Sequence, residues 1–160
     1  MKKLLIMVLV ISVFMSCNSF AKQTNDDKVK QYMQTRNICQ NLSQLAIKKA
    51  DYPEAIKFLE KENTYIDKIV AILKKGKDVD NLKILKTNNR IGIARLYYKK
   101  GDKNTALKGM NNVLDTCKLS KETKVGLYVD LGSIYEEKGQ DDEAEKVYLK
   151  AFKLNDKKVK

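Results

Sequence analysis

The sequence predicts an all-α chain of six helices arranged as three consecutive hairpins. Three observations carry this. Apolar residues recur at three- and four-residue spacing through almost the whole chain, and no stretch alternates with period two for long enough to make a strand. The breaks between the apolar stretches span two to five residues, which forces neighbouring helices antiparallel. The breaks also repeat one another: KKADYPEA (48–55), KKGDKNTA (99–106) and EKGQDDEA (137–144) share a frame.

The first 21 residues stand apart from that pattern. Lys2 and Lys3 precede an apolar run from Leu4 to Met15, broken only by Ser12, and a short polar segment follows. That is the layout of a secretory signal peptide, and the apolar run is short for a bilayer span. Two processing routes are open. Ser19-Phe20-Ala21 offers small residues for signal peptidase, with a mature start at Lys22 and a periplasmic or secreted product. Phe14-Met15-Ser16-Cys17 is similar to a bacterial lipobox, which makes Cys17 the candidate lipidation site and ties the product to the envelope. Residues 22–27 read as a flexible polar segment under either route.

The helices follow in order, over about 28–49, 53–75, 79–100, 103–117, 121–138 and 141–154. In the first two, Leu42, Leu45 and Ala46, then Ala55, Ile56, Leu59, Ile66, Ile69 and Leu73, form apolar stripes. Asp51 or Tyr52 caps the second helix, and Pro53 fits its first turn, where a missing N–H costs nothing. Gly76 is placed as the residue after a helix end, with Asp78 as the next cap. Ser120 caps the fifth helix in an incomplete capping box, because its third residue is Thr123. Asp141, Asp142 and Glu143 set negative charge at the N-terminus of the sixth. Residues 156–160 are expected to fray.

The repeated frame has a packing logic. Counted from the turn residues Ala50, Gly101 and Gly139, small residues lie seven before (Ser43, Ala94, Gly132) and alanines five after (Ala55, Ala106, Ala144). Two antiparallel helices approach closely only where one of them is small, and large apolar residues fill the space above and below. Successive turns are 51 and 38 residues apart.

Residues 125–158 resemble the tetratricopeptide repeat (TPR) family over a full unit, through Tyr128, Leu131, Gly132, Tyr135, Gly139, Ala144, Tyr148 and Ala151. Tyr128 stands for the family's Trp and Asp156 for its late Pro. Residues 87–118 resemble it less closely, with Arg90 at the aromatic position. Residues 36–63 resemble it least, with Glu62 where a small residue belongs. The turn spacings exceed the family's period of about 34, so the second and third helices are extended. The resemblance implies α-hairpin repeats, about three TPR-like units (28–75, 79–118 and 121–155), in a short right-handed solenoid.

Composition excludes several kinds of chemistry. The chain has no His, which removes imidazole triads and metal sites. Its seven glycines are isolated, so no phosphate loop is present. Two cysteines outside the leader, Cys39 and Cys117, make neither a zinc site nor a protease pair; they fall on non-adjacent helices and read as thiols. DVDN (78–81) lacks the rest of a calcium loop and reads as a helix start. No catalytic, metal or cofactor residue is assigned. The net charge of +12 becomes +10 when residues 1–21, with Lys2 and Lys3 and no acid, are removed. The lysines spread along helices, which reads as solvated faces, and export argues against nucleic acid.

In the TPR family the first helix of each unit lines a concave groove that holds a peptide or a partner's helix. Carried over by position, this gives Asn37, Gln40, Asn41, Gln44 and Lys48 from the first unit. It gives Asn88, Arg95, Tyr98 and Lys99 from the second, and Ser133, Glu136 and Glu137 from the third. Amides and cations together suit a partner with an acidic or carboxy-terminal end. The expectation is a non-catalytic adaptor of the bacterial envelope. The alternatives are a wall- or glycan-associated factor, for which Tyr65 and Tyr98 are the aromatic candidates, and a self-associating lipoprotein or homo-oligomer.

Overall fold

The computed structural model describes residues 24–156. The expected leader, with Cys17 and both cleavage points, and the tail from residue 157 lie outside these residues. Among the described residues the chain forms six helices and no strand: α1 (Asn25–Lys48), α2 (Tyr52–Leu73), α3 (Lys77–Lys99), α4 (Lys103–Thr116), α5 (Lys121–Glu136) and α6 (Asp141–Asp156). They pair as three hairpins, α1/α2, α3/α4 and α5/α6, and each hairpin packs on the next through α2/α3 and α4/α5.

The three hairpin turns close in one way. Ala50, Gly101 and Gly139 all sit at positive φ (55°, 91° and 68°). In each, the next residue's N–H reaches back five residues to a carbonyl: Asp51 to Ala46, Asp102 to Tyr97 and Gln140 to Tyr135, all at 2.9 Å. This satisfies carbonyls that a helix end otherwise leaves unpaired. Asp51 and Asp102 then cap the following helices, accepting from the Glu54 and Thr105 amides at 3.2 and 3.0 Å.

Two boundaries differ from expectation. Residues 24–27 are not a tether, because α1 starts at Asn25. Thr24 Oγ1 accepts from the Asp27 amide while Asp27 Oδ2 accepts from the Thr24 amide, both at 3.2 Å. That reciprocal box satisfies donors a helix start leaves open, whatever the polarity of the segment. At the α2/α3 break the chain takes positive φ twice, at Lys74 (61°), the residue directly after α2, and again at Gly76 (121°). Gly76 instead occupies the cap position of α3, and Asp78 lies inside its first turn.

Ala94 and Gly132, the small residues seven before their turns, do sit at close crossings, but against residues eight and nine after the turn rather than against the alanines five after it. A Cβ added to Gly109 would lie 3.0 Å from the Ala94 Cβ, and one on Gly132 would enter the Tyr148 ring. Ser43 is fully buried. The core has three parts. One unites the second and third hairpins around Met110, Leu127, Leu131 and Ile134. A second joins Ala46, Ala55, Ile56 and Leu59 to Leu96 of α3. The third, Ile66, Ile69 and Leu82 with Val29 and Met33, fills the far end of the long first hairpin. Cys39 is buried on α1, Cys117 is half-buried at the end of α4, and they are not bonded.

Candidate partner-binding surface

The first helices of the units, α1, α3 and α5, carry eleven of the twelve residues assigned to the groove, and Glu137 is the residue directly after α5. The structure ties some of them to one another and leaves others open. Between α3 and α5, Arg95 Nε donates to Asp130 Oδ2 at 2.8 Å, and its Nη2 lies 2.7 Å from the same oxygen. Nearer the turns, the Tyr98 hydroxyl donates to Glu137 Oε1. Lys103 Nζ sits 2.9 Å from Glu137 Oε2 and donates to the Glu137 carbonyl at 3.2 Å. The bond to Glu137 holds the Tyr98 phenol above its ordinary range. Tyr98, then Lys103, hold the Glu137 carboxyl below its own. Hydrogen bonding to a charged carboxylate favours that form and disfavours ionisation of the donor.

Glu136 and Glu137 part company. One helical residue apart, they point about 100° from each other. Glu136 turns away from α3 and accepts from the Tyr148 hydroxyl of α6 at 2.9 Å. Ser133 Oγ lies 3.4 Å from the same hydroxyl. Glu136 therefore belongs to a shallow cleft of about 450 Å³ on the outer side of α6, shared with Asp141, Tyr148 and Phe152. On α1, Asn37, Asn41, Gln44 and Lys48 are exposed and Gln40 is half-buried; Asn37 accepts from Arg36. Asn88 and Lys99 are exposed on α3. Of the two aromatic candidates for sugar, Tyr98 is held by Glu137. Tyr65 lies 5.9 Å from the Tyr32 ring, with the Lys68 ammonium 4.9 Å from its centroid.

Asp130 was not foreseen. It lies seven residues, two helical turns, before Glu137 and so on the same face. That spacing is legible in the sequence once Glu137 is placed. Glu62 is the second surprise. The residue in the small position is fully buried between α1, α2 and α3, and neither carboxylate oxygen has a hydrogen-bond partner among the described residues. Burial raises its carboxyl, and Asn89 and Arg36 pull it back in part. The Asn89 amide makes its well-formed bond elsewhere, to Asn63 Oδ1 at 3.1 Å. This polar layer separates the two core clusters of the first hairpin.

Among the described residues no three acidic or cysteine side chains gather as a metal site, and no helix is long and apolar enough to cross a membrane. No curated protein matches the chain. Among the solved structures similar to it are two crystal structures of MamA. The first has 16% identity and a TM-score of 0.42, covering 86% of this chain and 94% of that one. The second has 17% identity and a TM-score of 0.40, covering 79% and 94%. Residues 19–152 match the model of the SusR N-terminal TPR domain. Most of the chain lies within that match, and the protein belongs to this tetratricopeptide-repeat family.

Proposed function

We propose that the protein is a non-catalytic adaptor of the bacterial envelope. Its α1/α3/α5 face receives an extended segment of another protein, with that segment's carboxylate end toward Lys48 and Lys99. One observation carries the reading. The position two residues before each turn holds Lys48, Lys99 and Glu137. Glu137 is paired with Lys103, whereas Lys48 and Lys99 are exposed and form no ion pair among the described residues. Two open ammonium groups at equivalent positions, flanked by Gln44, Asn41 and Asn88, suit a carboxylate that also needs amide partners. Arg95 contributes less, because Asp130 already occupies its guanidinium.

The test is binding of a library of peptides in two forms, with a free and with an amidated carboxy-terminus. The free forms bind more tightly, and Lys48→Glu combined with Lys99→Glu removes that preference. Equal binding of both forms, or a preference untouched by the double substitution, overturns the reading. Mass spectrometry of the mature N-terminus tests the envelope assignment, with Lys22 or a lipidated Cys17 as the expected start.

A further inference from the structure

We propose that the two outer faces of the repeat array fit one another, so that copies of this chain stack head to tail, α6 of one copy against α1 of the next. The inference comes from positions counted from the turns, and it goes beyond the groove reading above.

Each internal boundary places a second helix against the following first helix. The residue thirteen after one turn meets the residue twelve before the next. At the first boundary these are Asn63 and Asn89, hydrogen-bonded at 3.1 Å. At the second they are Leu114 and Leu127, which share one core cluster. The same positions on the outer faces are Phe152 of α6 and Ile38 of α1. Both are large and apolar, and both lie open, at 63% and 56% exposure. Leu45 repeats the lesson. It is 49% exposed, while its equivalents Leu96 and Ile134 are 4% and 1% exposed against a neighbouring hairpin. The α1 face is thus the face that α3 and α5 bury, without a neighbour among the described residues.

Charge agrees with the register. At the second boundary Lys103, two after its turn, pairs with Glu137, two before the next. On the outer faces the same positions are Asp141 and Lys48, the same pair with its signs exchanged. One residue along, Asn104 accepts from Lys138 at 2.7 Å; its outer counterparts are Asp142 and Lys49. An apolar contact and two opposite-charge pairs therefore coincide in one register, on faces at opposite ends of the array. Such a contact is heterologous: each copy keeps one end open, and association continues beyond two. Exposed ion pairs add specificity more than affinity, so the aromatic and aliphatic residues are the anchors. Lys48 lies at both groove and seam, and the test therefore uses the apolar pair.

The experiment is sedimentation velocity on the full mature chain over a concentration series, with circular dichroism to confirm folding of each variant. The mean mass rises with concentration past that of a dimer. Phe152→Asp and Ile38→Asp, both on exposed positions, each weaken association by about tenfold or more. Mixing the two variants restores one intact seam and gives a one-to-one complex that grows no further. A mass that stays monomeric throughout, as when another segment or partner covers these faces, overturns the proposal. A dimer that survives both substitutions, or a mixture that forms no complex, does the same.

Discussion

Gly132 lies against the face of Tyr148, so close that a Cβ at residue 132 would fall 2.3 Å from the ring's Cε1. The ring is held there by the bond from its hydroxyl to Glu136 at 2.9 Å. Glycine inside a helix normally costs stability, and replacing it with alanine gains up to about 1 kcal/mol. Here the sign reverses. Gly132→Ala destabilises by about 1–3 kcal/mol, the usual range for an overpacked core. Urea unfolding measures it. The check on the cause is Tyr148→Ala, in whose background Gly132→Ala becomes neutral or stabilising.

Ala50 makes the opposite prediction. It occupies the left-handed conformation that Gly101 and Gly139 occupy at the equivalent turns, where a Cβ costs about 1–2 kcal/mol. Part of the gain from glycine is offset by the extra freedom it gives the unfolded chain. Ala50→Gly is therefore expected to stabilise by about 0.5–1 kcal/mol, read as a higher urea midpoint with an unchanged slope.

The buried Glu62 carboxyl ties stability to pH. Burial raises it above its ordinary value of 4.5, so the folded chain holds that proton more tightly than the unfolded chain does. The stability this brings is complete below the unfolded value. It is lost as pH rises from there through the raised native value. Glu62→Gln cannot ionise and loses that slope. The two proteins have closely similar pH trends in acid and diverge as pH rises, with the substituted chain gaining relative to the original. Urea titrations at a series of pH values test this, and parallel curves above the unfolded value would assign the slope to another group.

The second seam is the lighter of the two, because α4 and α5 meet over less of their length than α2 and α3 do. Side-chain ties from Arg95, Tyr98 and Lys103 reinforce it. Hydrogen exchange is expected to show α5 and α6 opening together ahead of α2, as one cooperative unit. Glu137→Ala speeds that exchange and leaves α1 and α2 unchanged; uniform acceleration across the chain would argue against separate opening.

What the sequence revealed was what depends on residues close together. The turns at Ala50, Gly101 and Gly139 and the small residues at Ala94 and Gly132 were legible because backbone closure and close approach demand particular side-chain sizes. The start of α1 was misplaced because Thr24 and Asp27 act through geometry, while their polarity suggests a tether. The positive φ of Lys74 was hidden because Gly76, which also adopts positive φ, accounted for the break by itself. The residues assigned to the groove lie on α1, α3 and α5, with Glu137 one residue past the end of α5. Their pairing was not legible, since the rotation of α5 decides that Glu137 meets Tyr98 and Glu136 meets Tyr148. Glu62 was visible as a misfit, but its burial is fixed by contacts from three helices.

Internal likeness carries a hazard, since sister hairpins can dock in the wrong order as the chain collapses. The amide pair Asn63–Asn89 at one seam and the leucines at the other act against it. Exchange the seams and an asparagine is buried against leucine, with its amide unsatisfied, at a cost of about 1–3 kcal/mol. The succession of the hairpins is thus written into the chemistry of their shared edges, and the array assembles with a defined first, second and third member.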